Sequence, residues 1–503
     1  MNNFYFNLSG GINQSSTKTE LGMNTKNIYW ADAENVEIYQ SKGIIRQKGN
    51  ILVTEIPDNE EIIGIHEMKS GSKRRLIIVT KSGKLYIYSE GNPLKLIDKQ
   101  LTSDKITFTN FLNGTIIAGN NDEMFFIKNN TDYDIVKSGL KKSDGNEIHS
   151  TVVTVFKGRV WVADGSTIYF SALGSFEDFS TSDDAGYISD FHTDTNEILA
   201  LKTYKDYLAI YKEDYTYILS GSNPDDFAIT PFADKGAYSQ NAIVSVNNRQ
   251  YFYSSGIYTL EVGELNQIQL GSEITRPIVE EFKNFDFSRR SEVFAINYET
   301  KNQVWYFIPY KNDPYFHTIW INDIVHKAWY KRVLPQDITT ACIFEKNIYT
   351  ADKNGKIYVE NMNNSFDGAP IKFLWKSPFL SLGDPTRRKT IDEFYFILDE
   401  SHENNFTYSI FKNYDSESKD DIDYIYSTNT ENLIWTKENT NVDLNDEWPN
   451  EENEAIWALD VESMYKAEIS EANYAIQLCV EGDKLENNLA IIGLQFREIY
   501  SED

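Results

Sequence analysis

The chain has 503 residues, carries a net charge of −28 and is 14% aromatic. This negative net charge excludes conventional binding to DNA phosphates, because such binding needs clustered Lys and Arg. The sequence has no apolar run of about 18 residues and no basic segment followed by an apolar core at its start, so we expect neither a membrane-spanning helix nor a secretory signal.

A two-strand pattern recurs seven times along the chain: an apolar strand, a polar turn, and a second strand that carries an aromatic residue. The seven copies span residues 76–88, 115–127, 159–170, 207–218, 250–260, 303–321 and 347–359. Each copy predicts a β-hairpin, since β-branched and aromatic residues suit half-buried strands and the Gly, Asn, Asp and Ser between them suit tight turns. One hairpin cannot bury its own apolar face, whereas a ring of them can.

The spacing of the copies, roughly 39 to 54 residues, is typical of four-stranded propeller blades. We therefore predict an all-β fold, a β-propeller of about six to eight blades. An open meander or sandwich with chance regularity is the alternative, because the spacing is irregular. The wider interval between the fifth and sixth copies leaves room for a blade completed by another part of the chain. One short helix is predicted near residues 275–282, with Thr275 as its cap and Pro277 in its first turn.

Three segments follow from this pattern. Residues 1–50 form an N-terminal arm with a first hairpin, residues 51–362 form the propeller, and residues 363–503 form an acidic, sandwich-like antiparallel β domain. This last segment holds 30 acidic and 11 basic residues, an excess of 19 negative charges. Its stretch 443–454 is acidic, contains Pro449 and is interpreted as an exposed loop.

No recognisable catalytic or metal-binding motif is present. The six histidines (His66, His149, His192, His317, His326 and His402) lack metal-site spacing, and the sequence has no nucleophile elbow, phosphate loop or dinucleotide fingerprint. The two cysteines, Cys342 and Cys479, lie in apolar strand patterns and are predicted to be buried free thiols; a disulfide is the alternative. We predict no catalytic, cofactor-binding or metal-ligating residues, and no cofactor.

Two alternatives to a protein without a chemical site remain open. A propeller glycosidase or lyase acting on polysaccharide would need two or three carboxylates converging from different blades. The acidic cluster of Asp178, Asp183, Asp184 and Asp190 could suggest calcium, but it lacks the alternating ligands and the glycine of a calcium loop. Turn formation is therefore the favoured role of that cluster.

Several stretches resemble a known protein family. The arm pattern of Gly10-Gly11-Ile12-Asn13, Asn35–Ile38, Gly43–Arg46 and Gly49 resembles the start of bacteriophage head-to-tail and tail-tube propeller proteins. The order of segments in the middle of the chain is similar to the tail-nozzle, or packaged-DNA stabilisation, group of short-tailed phages. Those segments are residues 168–174, 176–179, 184–186, 198–201, 206–212, 221 and 235–239. Residues 382–389 and 491–497 resemble the post-propeller part of that group.

This resemblance implies a structural role without catalysis. Such proteins form a ring, usually of six copies, below the portal and adaptor of the virion tail, and they are assembled in the bacterial cytoplasm. They continue the DNA channel, retain the packaged genome and offer a platform for fibres or spikes. If acidic residues after Asn363 line that channel or its rim, DNA would slide through without adhering.

Overall fold

The computed structural model describes residues 2–21, 27–70, 73–130, 132–142, 145–181, 184–189, 191, 194–263, 267–399, 401–417, 419–427, 448–449, 454–455, 462–467, 469 and 472–501. Seven four-stranded antiparallel sheets form a β-propeller. Two further sheets lie beside it and contain the C-terminal strands. The predicted all-β propeller class is confirmed, and the blade number is seven.

The first strand of each blade lies at the centre of the propeller and the fourth lies at its periphery. The first three blades comprise Ile62–Ser70, Lys73–Thr80, Lys84–Tyr88 and Lys95–Gln100; Ile106–Phe111, Gly114–Gly119, Phe125–Lys128 and Ile135–Lys137; and Val153–Phe156, Arg159–Asp164, Thr167–Phe170 and Gly186–Ile188. The next three comprise Ala200–Tyr204, Tyr207–Tyr211, Thr216–Ser220 and Ala228–Ala233; Val244–Val246, Arg249–Tyr253, Ile257–Val262 and Ile268–Leu270; and Phe294–Tyr298, Gln303–Phe307, Thr318–Asp323 and Ala328–Val333.

Each of the seven predicted hairpins is the second and third strand of one blade. The first is formed by Lys73–Thr80 and Lys84–Tyr88, with Leu76 opposite Tyr88. The seventh is formed by Asn347–Asp352 and Lys356–Glu360, with Tyr349 opposite Val359. These middle strands are covered by the neighbouring blades on both faces, which explains why they carry the strongest apolar and aromatic signal.

The seventh blade is closed by a strand from the start of the chain. Its first three strands are Ile338–Phe344, Asn347–Asp352 and Lys356–Glu360, and the fourth is Asn50–Glu55. A strand from one end of the propeller thus covers the open edge at the other end, which removes an unpaired strand edge. The blade completed by a distant segment is therefore the seventh. The wide interval between the fifth and sixth copies instead holds two 3₁₀ helices, Arg276–Lys283 and Phe287–Glu292.

The C-terminal strands form two antiparallel sheets together with the arm. Sheet one has the order Val36–Tyr39, Gly43–Arg46, Ala490–Ser501, Lys389–Asp399 and Glu462–Ala467, with Asn2–Phe6 also paired to Ala490–Ser501. Sheet two has the order Asp32–Glu34, Phe373–Lys376, Ile476–Gly482, Asn404–Lys412 and Asp420–Ser427. The sheets pack face to face: the Phe396 ring of sheet one lies 5.8 Å from Phe406 and 5.2 Å from Tyr408 of sheet two.

The stretch interpreted as an acidic loop, 443–454, lies mostly outside the described residues. Within it, Trp448–Pro449 pairs with Glu454–Ala455 as a two-residue ladder. From the sequence, strands are predicted in the C-terminal segment at 371–375, 391–398, 406–411, 455–459, 474–480 and 491–500. The strand predicted at 455–459 lies outside the described residues beyond Ala455. The other five predicted strands occur at these positions, whereas Asp420–Ser427 and Glu462–Ala467 are strands that the sequence did not predict.

The arm interlocks the propeller with the two sheets. Three of its strands pair in sheet one and a fourth in sheet two, while Gly11 and Ile12 contact the outermost strand of the sixth blade. There, the Ile12 amide donates to the Trp329 carbonyl at 2.7 Å. A Cβ on Gly11, whose φ is +68°, would lie 2.6 Å from the Ala328 Cβ, so this approach requires glycine.

The apolar core follows this division into blades, arm and C-terminal sheets. Five clusters each fill the space between two neighbouring blades. The largest cluster is different, because it runs from the fifth, sixth and seventh blades through the arm into both C-terminal sheets. Trp30 of the arm illustrates this continuity, with its ring 6.1 Å from Tyr330 of the sixth blade. The propeller and the two sheets therefore share one core.

Helical segments are short. Among the described residues, besides the two already given, they are the α-helix Lys18–Leu21 and the 3₁₀ helices Pro57–Asn59, Pro224–Asp226, Gln240–Ala242 and Glu299–Lys301. The helix predicted at 275–282 is present, but Thr275 does not cap it; its hydroxyl donates to Glu273 and accepts from the Ile257 amide. In the part of the chain that the structure describes, no helix has the length and apolar character needed to cross a membrane.

Asn35 joins the sixth blade to the C-terminal sheets. It has a φ of +54°, is 2% exposed, and its Nδ2 donates to the carbonyls of Val333 at 3.0 Å and Lys372 at 2.7 Å. Its Oδ1 accepts from the Val333 amide at 2.8 Å. We expect Asn35→Ala to reduce the free energy of unfolding by about 2 kcal/mol, because it leaves buried backbone groups unpaired. Urea denaturation tests this, with Asn241→Ala at an exposed position of the 3₁₀ helix Gln240–Ala242 as the control; equal losses would contradict it.

Candidate functional site: the central cavity of the propeller

The first strands of the blades enclose a cavity of about 1720 Å³ along the propeller axis. In sequence order, the described lining residues extend from Glu61, just before the first central strand, to Glu345 and Lys346, just after the last one. Asp104, just before the central strand of the second blade, is also among them. All of its lining residues precede the acidic C-terminal segment. The cavity is therefore a property of the propeller, and its chemistry is set by side chains from the central strands.

Hydrogen bonds between neighbouring blades align the central strands. The Glu345 amide donates to Glu67 Oε1 and Asn110 Nδ2 donates to the Glu67 carbonyl, both at 3.0 Å. On the other side of the ring, Thr203 Oγ1 donates to the Val155 carbonyl at 2.8 Å, and Asn297 Nδ2 donates to the Ser245 carbonyl at 3.0 Å. These bonds occur near the ends of the central strands.

Three polar side chains of the cavity wall flank those bonds: His66 of the first blade, Lys202 of the fourth and Asn297 of the sixth. His66 precedes Glu67 and Lys202 precedes Thr203, while Asn297 makes one of the bonds itself. The three therefore line the cavity from three different blades. We call them the polar layer.

His66 stacks on Phe108 of the second blade, with ring centroids 5.2 Å apart and an interplanar angle of 5°. Its Nε2 is buried without a hydrogen-bond partner among the described residues. Burial lowers the pKa of this imidazole to about 4, and the charges of Lys69 and Lys202 act in the same direction. A hydrogen bond with Asn110 and the charge of Glu67 oppose the shift. His66 is therefore neutral at pH 7.

Lys202 is half-buried, and desolvation lowers the pKa of its ammonium group. Among the residues that the structure describes, its Nζ has neither an ion pair nor a hydrogen bond, and no carboxylate offsets the shift. Its strand is held firmly by Gln240: the Leu201 amide donates to Gln240 Oε1 at 2.7 Å, and Gln240 Nε2 donates back to the Leu201 carbonyl at 2.9 Å.

Several charged groups of the cavity wall form ion pairs. Glu67 meets Lys69 at 2.9 Å, and Glu61 meets Lys81 at 2.6 Å. Two further pairs are Asp164 with Lys142 at 2.5 Å and Glu292 with Arg289 at 2.7 Å. A carboxylate held by a neighbouring cation is poorly suited to act as a general acid, which needs a raised pKa.

The acidic cluster considered for calcium divides into two parts. Asp178 accepts from Ser180 and Thr181, and these bonds lower its pKa to about 2. Asp184 pairs with Arg159 at 2.5 Å. Asp183 and Asp190, like His192, lie outside the described residues. Among the described side chains, no group of three or more His, Cys, Asp and Glu is placed to hold a metal ion.

The other histidines pair with carboxylates at the surface or between elements. His317 bridges Asp313 and Asp337 at 2.8 and 2.9 Å. The remaining pairs are His149 with Glu147, His326 with Asp323, and His402 with Asp399. Both cysteines are free thiols, as predicted; Cys479 is buried, whereas Cys342 is half-buried in the cavity wall.

Sequence reasoning named no residue of the polar layer as a site. One signal was available, because His66 and Lys202 are polar residues inside the short apolar strands that precede the seven hairpins. That signal cannot separate a side chain facing a cavity from one facing solvent, since both interrupt an apolar strand in the same way.

No protein-family model matches this chain, and no curated protein matches it. Solved structures similar to it include the WD40 domain of Neurospora crassa Pan2, with 11% identity and a TM-score of 0.41 over 63% of this chain and 96% of that one. YCF48 from Cyanidioschyzon merolae is similar at 11% identity and a TM-score of 0.41, over 63% of this chain and 98% of that one. These likenesses concern the fold alone.

Proposed function

We propose that this chain is a structural virion protein that forms a ring, the nozzle or hub, of a phage tail. The ring lies below the portal and adaptor, continues the DNA channel, retains the packaged genome and carries fibres or spikes. No catalytic residue and no cofactor are part of this proposal. The protein is assembled in the host cytoplasm and ends in the virion tail, as a homo-oligomer of six copies.

The observation that carries the proposal is the position of the arm glycines on which the family resemblance rests. A Cβ on Gly10 would lie 2.4 Å from the Ile28 carbonyl oxygen, and one on Gly43 would lie 2.3 Å from that of Ile491. A Cβ on Gly49 would lie 1.9 Å from the Ser365 oxygen. Gly11 packs against the sixth blade, Gly43 against a strand of sheet one and Gly49 against the segment that follows the propeller, whereas Gly10 packs within the arm itself. An interlocked body of this kind suits a rigid wall that bears the pressure of packaged DNA.

The charge distribution gives further support. The excess of 19 negative charges after Asn363 suits a passage through which DNA must slide. The described residues that line the propeller cavity end at Lys346, so the acidic segment does not contribute to them. The DNA channel of this proposal is therefore not the propeller cavity but the space that several copies of the chain enclose.

Cryo-electron microscopy and mass photometry of the purified full chain test the proposal. We expect closed rings with a central channel and a mass near six times 58.0 kDa. We also expect the rings not to retain duplex DNA at low salt, where nonspecific binding is strongest. A monomer at micromolar concentration, or rings with a basic channel, would contradict the proposal. Turnover of polysaccharide by the purified chain would favour the enzyme alternative.

A further inference from the structure

The first two blades carry a positive net charge in a strongly acidic chain. Residues 62–137 hold 11 basic and 8 acidic residues, which leaves a charge of +3 in a chain whose total is −28. Residues 153–233, which form the third and fourth blades, hold 5 basic and 13 acidic residues instead. The positive charge of the propeller is therefore localised on one side of it.

Three cations of the first blade lie together against aromatic rings of the second. The centroid of the Tyr133 ring is 4.5 Å from Lys95 Nζ and 4.8 Å from the guanidinium carbon of Arg75. Lys99 Nζ is 5.2 Å from the centroid of the Phe125 ring. Lys95 is exposed, and the other two cations are half-buried. Two positive charges on one ring repel each other, which favours an anion at the same place. We call Arg75, Lys95 and Lys99 the basic patch.

The second blade fixes the position of Arg75. Its Nη1 donates to Asn129 Oδ1 at 2.5 Å and to the Asn130 carbonyl at 2.9 Å. Asn130 Nδ2 in turn donates to Asp134 Oδ2 at 2.7 Å, so that carboxylate is bound within its own turn. A patch whose charges are already in place loses little conformational entropy when it binds an anionic surface.

The opposite charge belongs to another part of the molecule. Both C-terminal sheets share their core with the fifth to seventh blades, whereas the cluster between the first two blades contains only propeller residues among those described. The strand Asp420–Ser427 forms one edge of sheet two among the described strands. Residues 413–427 hold five acidic residues and one basic residue, and Asp415, Glu417 and Asp423 are exposed. We call this stretch the acidic edge.

We propose that the basic patch of one copy docks on the acidic edge of a neighbouring copy. This inference rests on the proposed ring and identifies the surfaces through which its copies meet. The two surfaces differ, so each copy uses its patch on one neighbour and its edge on the other. Head-to-tail contacts of this kind generate a ring when the rotation closes. DNA is disfavoured as the occupant of the patch, because the net charge of −28 repels a long polyanion, whereas contact between copies pairs opposite charges.

Charge reversal on each surface tests the inference, with sedimentation velocity of the full chain at micromolar concentration as the readout. The patch variant is Lys95→Glu/Lys99→Glu, and the edge variant is Glu417→Lys/Asp423→Lys. In each variant alone, we expect the dissociation constant between copies to rise by about a hundredfold or more, because like charges then face each other.

The matched control is Lys205→Glu/Lys327→Glu, which makes the same change at exposed lysines of the fourth and sixth blades. It should form rings as the wild type does. Loss of rings in this control as well would overturn the inference, because net charge alone would then explain the patch variant.

An equimolar mixture of the patch and edge variants separates a lost contact from a lost fold. Every junction of an alternating ring pairs opposite charges again, so rings should return in the mixture although neither variant forms them alone. Rings of the patch variant alone, or no rings in the mixture, would overturn the inference and leave the proposed ring intact. A monomeric wild type would overturn both. Saturable binding of short duplex DNA that Lys95→Glu/Lys99→Glu abolishes would also overturn it, because the patch would then bind nucleic acid.

Discussion

Replacing Glu360 by Gln is expected to reduce the free energy of unfolding by about 3–5 kcal/mol. Glu360 and Arg332 are fully buried, and Glu360 Oε2 accepts from Arg332 Nη2 at 2.5 Å and from Nε at 3.1 Å. The substitution leaves the guanidinium group without its counter-ion in the core, where an uncompensated charge is most costly.

This ion pair also ties the arm to the propeller. Glu360 Oε1 accepts from Asn50 Nδ2 at 3.1 Å and from Thr350 Oγ1 at 2.7 Å. Arg332 Nη1 donates to the Lys48 carbonyl at 2.7 Å, so one network joins the sixth blade, the seventh blade and the end of the arm. We therefore expect the loss to be seen both in urea denaturation and in the melting temperature.

Glu261→Gln is the matched control, because it makes the same change at a surface pair. Arg249 Nε lies 2.7 Å from Glu261 Oε2, and the arginine side chain is 51% exposed. Exposed pairs contribute little, so this variant should lose less than about 1 kcal/mol. Equal losses in the two variants would refute a special role for the buried pair. The double variant Arg332→Met/Glu360→Met should be more stable than Glu360→Gln, since it removes both charges.

Acid is expected to destabilise the protein through His66. Its pKa is lowered from 6.5 to about 4 in the folded chain, chiefly by burial. Between these values the unfolded chain takes up a proton that the folded chain does not. The stability contribution is therefore complete above pH 6.5 and is lost progressively as the pH falls to about 4. The shift corresponds to about 3 kcal/mol.

The variant His66→Gln lacks this titration while keeping a polar side chain beside Phe108. Urea denaturation of both proteins at pH 7.0 and 4.5 measures the effect. Between these two pH values, the free energy of unfolding of the wild type should fall by about 3 kcal/mol more than that of His66→Gln. Between pH 7 and 8 the two proteins should respond in parallel, because neither state of His66 titrates there. An unchanged difference between pH 7.0 and 4.5 would contradict the assignment.

The seven hairpins could be located from local pattern alone. Their strands are covered on both faces by neighbouring blades, so they combine apolar and aromatic residues with turn residues at regular intervals. Strands such as Lys389–Asp399 and Ala490–Ser501 were recognisable because they too are rich in β-branched and aromatic residues, although they belong to a C-terminal sheet and not to a blade. The C-terminal segment could likewise be separated from the propeller because the repeat stops there.

The pairing of distant segments could not be deduced from local pattern. Asn50–Glu55 closes the seventh blade against Lys356–Glu360, about 300 residues away, and no nearby residue records that partnership. The same holds for the arm strands that complete the C-terminal sheets and for the hydrogen bonds of Asn35. A strand edge accepts any suitably patterned strand, so its partner is chosen by the packing of the whole chain.

The polar layer has a similar origin. His66, Lys202 and Asn297 are far apart in sequence and belong to three blades, so their meeting in one cavity depends on the number of blades and on how neighbouring strands are aligned. The buried pair of Arg332 and Glu360 also joins two blades through side chains that look like ordinary surface charges in the sequence. Local chemistry therefore predicts which residues form strands, whereas closure of the ring determines which of their side chains meet.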